Sequence, residues 1–235
     1  MKIILVLMVL LFGTYGCYKV SMPSVTIHYK LTLTVDDNGR QYIGSSVVEV
    51  YRQDTTRVFG NSFGGYGGSY KGEAVAVDMG EKGVLFALLR SRKSVDYPLY
   101  ILVNAFKQYF NGLSVVDDMR SLKKVRPHEK TELAFEDIPM LVRFRDINDP
   151  KTVELVEPDD MEKYFGKGVK LVSARLEVTD EPVTKLIEEW LPWIREYYDT
   201  HLDGDRYSSS NAKNRLANDL ASGDFAANMK LSKYE

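Results

Sequence analysis

Val25-Thr-Ile-His-Tyr-Lys-Leu-Thr-Leu-Thr-Val35 is the stretch of sequence that decides the fold class. Apolar or aromatic side chains occupy every second position, and threonine, histidine or lysine fill the positions between them. Strict alternation of this kind is typical of a β-strand with one buried face. Asp36-Asp-Asn-Gly39 follows, and its Asn-Gly pair favours the tight turn of a hairpin. We therefore predict that residues 42–51 return as the paired strand.

Later segments repeat the strand pattern. Residues 73–78 and 84–89 predict a second hairpin, and the unbroken apolar run of the second segment predicts a strand covered on both faces. Residues 140–145 and 169–178 alternate again. In residues 169–178 we expect the inward side chains to be Lys170, Val172, Ala174, Leu176 and Val178.

Three segments predict helices. Apolar residues at helical spacing follow Pro98 and continue to Phe110. A brief helix over residues 161–165 is predicted to end at Gly166, and another is predicted to start at residues 179–182. With about six or seven strands, mostly in adjacent hairpins, and two or more helices, the sequence predicts an α+β fold built on a mainly antiparallel sheet.

Composition predicts three parts of the chain. The first 16 residues have the order of a signal peptide, and residues 17–198 carry the strand and helix patterns of one α+β domain. After Tyr198 the composition turns polar, so residues 199–235 are expected to be a C-terminal tail, ordered only if it packs on the body. A chain of 235 residues can bury a sizeable core without disulfides.

The amino terminus determines the expected location of the protein. Lys2 gives a minimal positive region, Ile3–Phe12 is uninterruptedly apolar, and Gly13 breaks the run. This order is typical of a secretory signal peptide. Ten helical residues span about 15 Å, roughly half the hydrocarbon core of a bilayer, which disfavours a transmembrane helix.

Cys17 is the only cysteine of the chain, and four residues separate it from the end of this apolar run at Phe12. The region looks like a bacterial lipoprotein leader, in which cleavage occurs before a cysteine that carries lipid. Gly16 fits the position before that cysteine, whereas Tyr15 and Thr14 depart from the usual small residue and leucine. Two alternatives stay open: ordinary secretion and an uncleaved anchor. We expect lipidation at Cys17 and a lipid-anchored location in the bacterial cell envelope, facing the periplasm.

Composition and spacing argue against several kinds of site. The formal charge is −2 and no basic stripe is present, so no nucleic-acid partner is expected. The three histidines lack the spacing of a metal site, and Asp203-Gly-Asp205 matches only a fragment of a calcium loop. No nucleophile elbow or phosphate loop occurs, so we assign no catalytic, metal-binding or cofactor-binding residue.

Residues 59–70 read F-G-N-S-F-G-G-Y-G-G-S-Y and contain five glycines and four aromatic residues. So many glycines predict a surface loop rather than a strand. A second interpretation is a loop that presents its aromatic side chains to a partner. The candidate contact residues are Phe59, Phe63, Tyr66 and Tyr70.

Several phrases together resemble an uncharacterised family of lipoprotein-like exported proteins from proteobacteria. They are Gly44–Val50, Gly72–Asp78 with Val84–Leu89, Asp149–Val153, and Asp180–Thr184 with Leu191–Trp193. The resemblance covers most of the mature chain and implies a bacterial, exported setting. It carries no catalytic motif and therefore implies no active residue.

The sequence therefore favours an envelope lipoprotein with a non-enzymatic binding or scaffold role. Its expected contacts are the membrane, through the lipid at Cys17, and an unknown protein or envelope polymer. The alternative is a tethered or secreted hydrolase acting on an envelope polymer. Hydrolysis of glycosidic bonds uses a pair of carboxylates, and among 33 acidic residues some pair is inevitable.

Overall fold

The computed structural model describes residues 24–54, 66–110 and 121–227, which form ten strands in two antiparallel sheets. The large sheet has the order β10-β3-β2-β1-β9-β6, and the small sheet has the order β4-β5-β7-β8. In chain order the strands are β1 (Ser24–Asp37), β2 (Arg40–Asp54), β3 (Tyr66–Glu73), β4 (Val75–Asp78), β5 (Val84–Ala87), β6 (Lys130–Glu132), β7 (Leu141–Phe144), β8 (Val153–Val156), β9 (Val169–Thr179) and β10 (Ala226–Ala227). The helices are α1 (Tyr97–Ala105), α2 (Glu162–Phe165) and α3 (Ile187–Trp190).

The predicted first hairpin is confirmed. β1 pairs with β2 from Ser24↔Gln53 to Asp37↔Arg40, and both turn residues have positive φ angles, 52° at Asn38 and 95° at Gly39. The predicted buried face of β1 is confirmed as well, because its odd-numbered side chains from Tyr29 to Val35 are buried. The antiparallel pairing and the few helices agree with an α+β or mainly β fold, with ten described strands instead of six or seven.

The small sheet packs on the apolar face of the large one. The chain passes from β3 to β4 at Ala74, so consecutive strands lie in different sheets. The two sheets approach closely at Gly44, where a Cβ atom would lie 2.1 Å from the carbonyl oxygen of Ala76. Their facing side chains, with α1 at one side, form the larger core.

The small sheet is covered on both faces, as the apolar run at residues 84–89 predicted. Leu85 and Ala87 of β5 point into the core between the sheets. Phe86 and Leu88 point into a second core on the opposite face. That second core is completed by residues between β9 and β10: Ile187, Leu191, Ile194, Leu202, Ala217, Leu220 and Phe225.

Residues 199–227 belong to this second core rather than to the expected tail. Leu202, Leu220 and Phe225 are fully buried, although their spacing follows no helix or strand period. Backbone bonds attach the segment to the sheets: the Ala74 N–H donates to Phe225 O at 2.7 Å, and the Leu89 N–H donates to Asp224 O at 2.8 Å. Widely spaced apolar anchors in a polar background therefore order a segment that composition alone indicates as a tail.

Two local predictions are corrected by the geometry of single residues. In β9 the register shifts opposite Thr34/Val35, so Val172 is an extra residue and is 52% exposed instead of pointing inward. Lys170 is exposed as well, and Val169 is buried in its place. Residues 180–186 have no regular structure, and the helix predicted to start at 179–182 begins only at α3.

Of the other two helices, α2 follows the prediction, whereas α1 ends at Ala105 and Lys107–Tyr109 forms a separate 3-10 turn instead of continuing the predicted helix to Phe110. α1 carries Pro98 in its first turn, and α2 ends at Gly166, whose φ of 96° suits glycine. Within the ranges that the structure describes, no helix has the length and apolar character needed to cross a membrane.

Candidate functional site

The predicted partner site is the aromatic segment of residues 59–70, and the structure describes residues 66–70 of it. Cys17, Phe59 and Phe63 lie outside the described residues. Tyr66 and Tyr70 are described, and they lie on β3 instead of in a surface loop. β3 pairs with β2 from Asp54↔Tyr66 to Glu49↔Lys71.

Glycine explains why this stretch forms a strand. Gly72 has a φ of 151°, and a Cβ atom there would lie 2.9 Å from the Cα of Val48 on β2. A Cβ atom at Gly68 would lie 3.3 Å from the side chain of Leu99 in α1. The glycines therefore let β3 approach β2 and α1 closely, whereas glycine content alone suggests a loop.

Tyr70 is half-buried between the large sheet and the start of α1. Its hydroxyl donates to Val95 O at 3.4 Å, and its ring packs against the core between the sheets. Burial, and then the negative charges of Asp96 and Asp224, raise the pKa of the Tyr70 hydroxyl. The hydroxyl therefore remains a neutral hydrogen-bonding group at neutral pH.

A shallow cleft of about 500 Å³ opens beside Tyr70, and we call it the Tyr70 cleft. Tyr198, which is 45% exposed, lines it together with Tyr70. The remaining lining residues are small: Ser69, Ala221, Gly223, Ala226 and Ala227. Two aromatic rings with small residues around them leave room for a side chain from another molecule.

The Tyr70 cleft lies along an incompletely paired sheet edge. On its outer side β3 pairs with β10 only at Glu73↔Ala226 and Gly72↔Ala227. From Tyr66 to Lys71, no strand among the described residues pairs with this side of β3. Gly68 and Ser69 are exposed there. Such an edge presents backbone N–H and C=O groups that can pair with another strand.

Charged residues stabilise the surroundings of the cleft. Arg90, with a mostly buried side chain, lies 3.4 Å from Asp224 and 3.2 Å from Asp219. Burial raises the pKa of Asp224, although the Ala221 N–H and Arg90 act in the opposite direction. Asp224 is thus held by its own turn and by Arg90, and it fixes the segment that carries Ala221 and Gly223.

Lys71, at the end of the incompletely paired stretch of β3, belongs to a charged cluster on the outer face of the large sheet. Its ammonium group lies 2.9 Å from Glu49, and His28 Nε2 lies 3.2 Å from the other oxygen of that carboxylate. The hydrogen bond from Lys71, with a smaller contribution from His28, lowers the pKa of Glu49. The exposed edge therefore has an aromatic inner side and a charged outer side.

The Asp203-Gly-Asp205 turn and a second acidic turn at Asp149 line one cleft of about 600 Å³. Their carboxylates accept hydrogen bonds within their own turns, from the Lys151 N–H to Asp149 and from the Asp205 N–H to Asp203. Arg145, Lys151 and Lys213 line the same cleft and make it a region of mixed charge. In the part of the chain that the structure covers, no three or more His, Cys, Asp or Glu side chains gather as a metal site.

The aromatic run Trp190, Trp193, Tyr197 and Tyr198 favours core and helix packing over a platform for a sugar, and β10 has no strand pattern in the sequence. Tyr198 ends a run of aromatic residues in which Trp193 packs into the core, with its indole N–H donating to Ile147 O at 2.7 Å. Trp193 points inward and Tyr198 points outward because of the short helical turns around them, and the sequence pattern alone does not predict these directions. No protein-family model, curated protein or solved structure matches the chain.

Proposed function

We propose that the protein is a lipid-anchored component of the bacterial cell envelope that binds an extended segment of a partner protein along β3. The observation that carries the proposal is the incompletely paired edge from Tyr66 to Lys71, next to the Tyr70 cleft. An added strand would satisfy the backbone groups of β3, and a side chain of that strand would enter the cleft.

The chemistry of the cleft indicates which side chain it would take. Its walls are the rings of Tyr70 and Tyr198, and its floor consists of small residues such as Ala226. An apolar or aromatic side chain would bury its surface there, while the strand pairing supplies affinity that does not depend on sequence.

The proposed anchor fits the way the chain enters the fold. Six residues, 18–23, separate Cys17 from the first residue of β1. Seven residue steps reach at most about 25 Å. Acyl chains on Cys17 would therefore hold the body close to the bilayer, and two or more chains suffice for stable attachment.

The binding part of the proposal can be tested by site-specific cross-linking. A photoreactive amino acid at Ser69, on the exposed edge, should capture a partner in living cells, and one at Ser45 on the outer face of β2 should not. Tyr198→Ala should reduce the capture by about tenfold, because it removes one wall of the cleft. Tyr207→Ala, at a residue 78% exposed and outside the cleft, is the matched control.

Two results would contradict this binding mode. One is capture from Ser69 that Tyr198→Ala leaves unchanged. The other is a cross-link from Ser69 to residues 228–235 of the same chain, since the edge would then be occupied from within. The captured peptide, made synthetically, should bind the purified wild-type protein and bind Y198A more weakly.

The anchoring part can be tested separately with Cys17→Ala. We expect the wild-type protein to stay with membranes during an alkaline wash, and the variant to leave them. A variant that stays bound as firmly as the wild type would show that the apolar leader, not a lipid on sulfur, holds the protein.

A further inference from the structure

The end of the large sheet nearest the proposed anchor forms a surface of its own, which we call the base. β1 begins there at Ser24, and β2 and β9 end there at Asp54 and Thr179. The hairpin turn at Asn38 lies at the opposite end of β1, about 40 Å away along a strand of this length. Since residues 18–23 connect Cys17 to Ser24, the inference about the base rests on the proposed lipid anchor.

The base has an apolar cleft because β1 extends beyond β9. The pairing of β1 with β9 ends at His28↔Thr179, so Val25 and Ile27 lie past the end of β9. Residues 121–127 pack beside them, and the two parts enclose a cleft of about 350 Å³. The apolar side chains that line it are Val25, Ile27, Leu122, Val125 and Val178.

Lys123 lines this cleft, and Lys124 and Arg126 lie beside its lining residues in sequence, so the segment that borders the cleft carries positive charge. Lys123, Lys124 and Arg126 are exposed, and none of them forms an ion pair with another residue in the described ranges. The neighbouring acidic groups are engaged. Glu129 accepts hydrogen bonds from the Tyr109 hydroxyl and the Arg126 N–H, and Glu177 pairs with Lys130 at 3.1 Å. Asp180 is the acidic side chain that remains on the rim.

We propose that the base docks onto the bilayer that holds the anchor, with Lys123, Lys124 and Arg126 contacting anionic lipid headgroups. A surface tethered within about 25 Å of the headgroups meets them at high effective concentration. Exposed cations that have no ion-pair partner among the described residues are attracted to anionic lipid, and the apolar cleft beside them accepts the less polar part of the interface. The hairpin turn then lies at the end of β1 away from the lipid, whereas the β3 edge starts at the base, where Tyr66 pairs with Asp54.

Lysine acetylation of the lipidated wild-type protein tests this orientation. The protein is inserted into vesicles of phosphatidylcholine, alone or mixed with phosphatidylglycerol, and the rate at each lysine is measured by mass spectrometry. In the anionic vesicles we expect Lys123 and Lys124 to react at least threefold more slowly than in phosphatidylcholine vesicles. Lys167 and Lys170, exposed at the hairpin-turn end, are the matched controls and should keep their rates. Raising the salt to roughly 1 M should remove most of the difference, because it screens charges beyond about 3 Å.

Each other result has a defined meaning. If Lys123, like the control Lys167, reacts at the same rate in anionic as in phosphatidylcholine vesicles, the docking proposal is overturned and the anchor is left intact. Protection of Lys123 in native membranes but not in anionic vesicles would assign the base to a protein partner and overturn the lipid assignment. A chain that carries no acyl group would overturn both the anchor and the docking proposal.

Discussion

The two sheets differ in what covers their second face. The small sheet has the large sheet on one side and residues 187–227 on the other, so β5 is buried from Leu85 onward. The large sheet buries one face and exposes the other, which carries ion pairs such as Lys30–Glu181 and Arg175–Glu132. Both proposed contact surfaces, the β3 edge and the base, lie on the large sheet.

This difference indicates a division of roles. Most side chains of the small sheet are buried against the large sheet or in the second core, so they mainly stabilise the fold, and Arg143 and Glu154 on β7 and β8 are partly exposed. Among the described residues the large sheet has an incompletely paired edge and an exposed face, and one of its ends lies near the proposed anchor, so it can change there with little loss of stability. Four substitutions test this division, from the largest expected effect to the smallest.

Phe86→Ala should be the most destabilising of the four. Phe86 is fully buried in β5 and makes edge-to-face ring contacts with Phe144 at 5.8 Å and with Phe225 at 6.1 Å. Its truncation should lower the free energy of unfolding by about 3–5 kcal/mol, measured by urea denaturation. Ile43→Ala, at a residue 65% exposed on β2, is the matched control and should change it by less than about 0.5 kcal/mol. Equal losses would contradict the division.

Gly44→Ala tests the contact between the sheets. The added Cβ atom would lie 2.1 Å from Ala76 O, so the sheets must separate. We expect a loss of about 1–3 kcal/mol in the same denaturation measurement. Gly223→Ala, where a Cβ atom meets nothing within 4 Å, should have little effect. A stable Gly44→Ala protein would show that the sheets are not tightly packed at this point.

Glu73→Gln should alter the pH dependence of stability. Glu73 accepts the backbone N–H groups of Leu186 and Ile187, and its burial raises the pKa of the carboxyl group. A raised folded-state pKa contributes stability that is present below the pKa of the unfolded chain and is lost as pH rises through the folded pKa. Stability measured from pH 4 to pH 7 should therefore fall less in the variant than in the wild type. A steeper fall in the variant would contradict the assignment.

Glu132→Gln should have the smallest effect. Burial of Glu132 opposes ionisation, but hydrogen bonds from Arg175 and Ser173 lower the pKa of its carboxyl group overall. The Glu132–Arg175 pair is about half exposed on both sides, so solvent screens it. Loss of the pair should cost at most about 0.5 kcal/mol, and the cost should disappear at high salt. A loss comparable to that of Phe86→Ala would show that the outer face also stabilises the fold.

Sequence predicted the elements in which local pattern and packing agree. The alternation in β1, the Asn38-Gly39 turn and the apolar run of β5 each have one physical interpretation, and each is confirmed. The bulge at Val172 could not be predicted, because it depends on how β9 pairs with β1 and not on β9 alone.

The candidate contact surface was predicted only in part. Residues 59–70 indicated a loop because glycine favours loops on average, whereas here Gly68 lets β3 lie close to the side chain of Leu99. Ala226 fell in the segment whose polar composition indicated a tail, and Tyr198 is the residue directly before that segment. Their positions are set by Leu202, Leu220 and Phe225, which are far apart in sequence and meet only in the folded core.

The intact mass of the protein extracted from membranes tests the tethered account most directly. We expect a chain that begins at Cys17 and carries the added mass of two or three acyl groups. Such a mass places the base of the large sheet next to the bilayer, through the six residues that precede Ser24. Recovery of the unmodified, full-length chain from the soluble cell interior would contradict the anchor, the docking of the base and the envelope role.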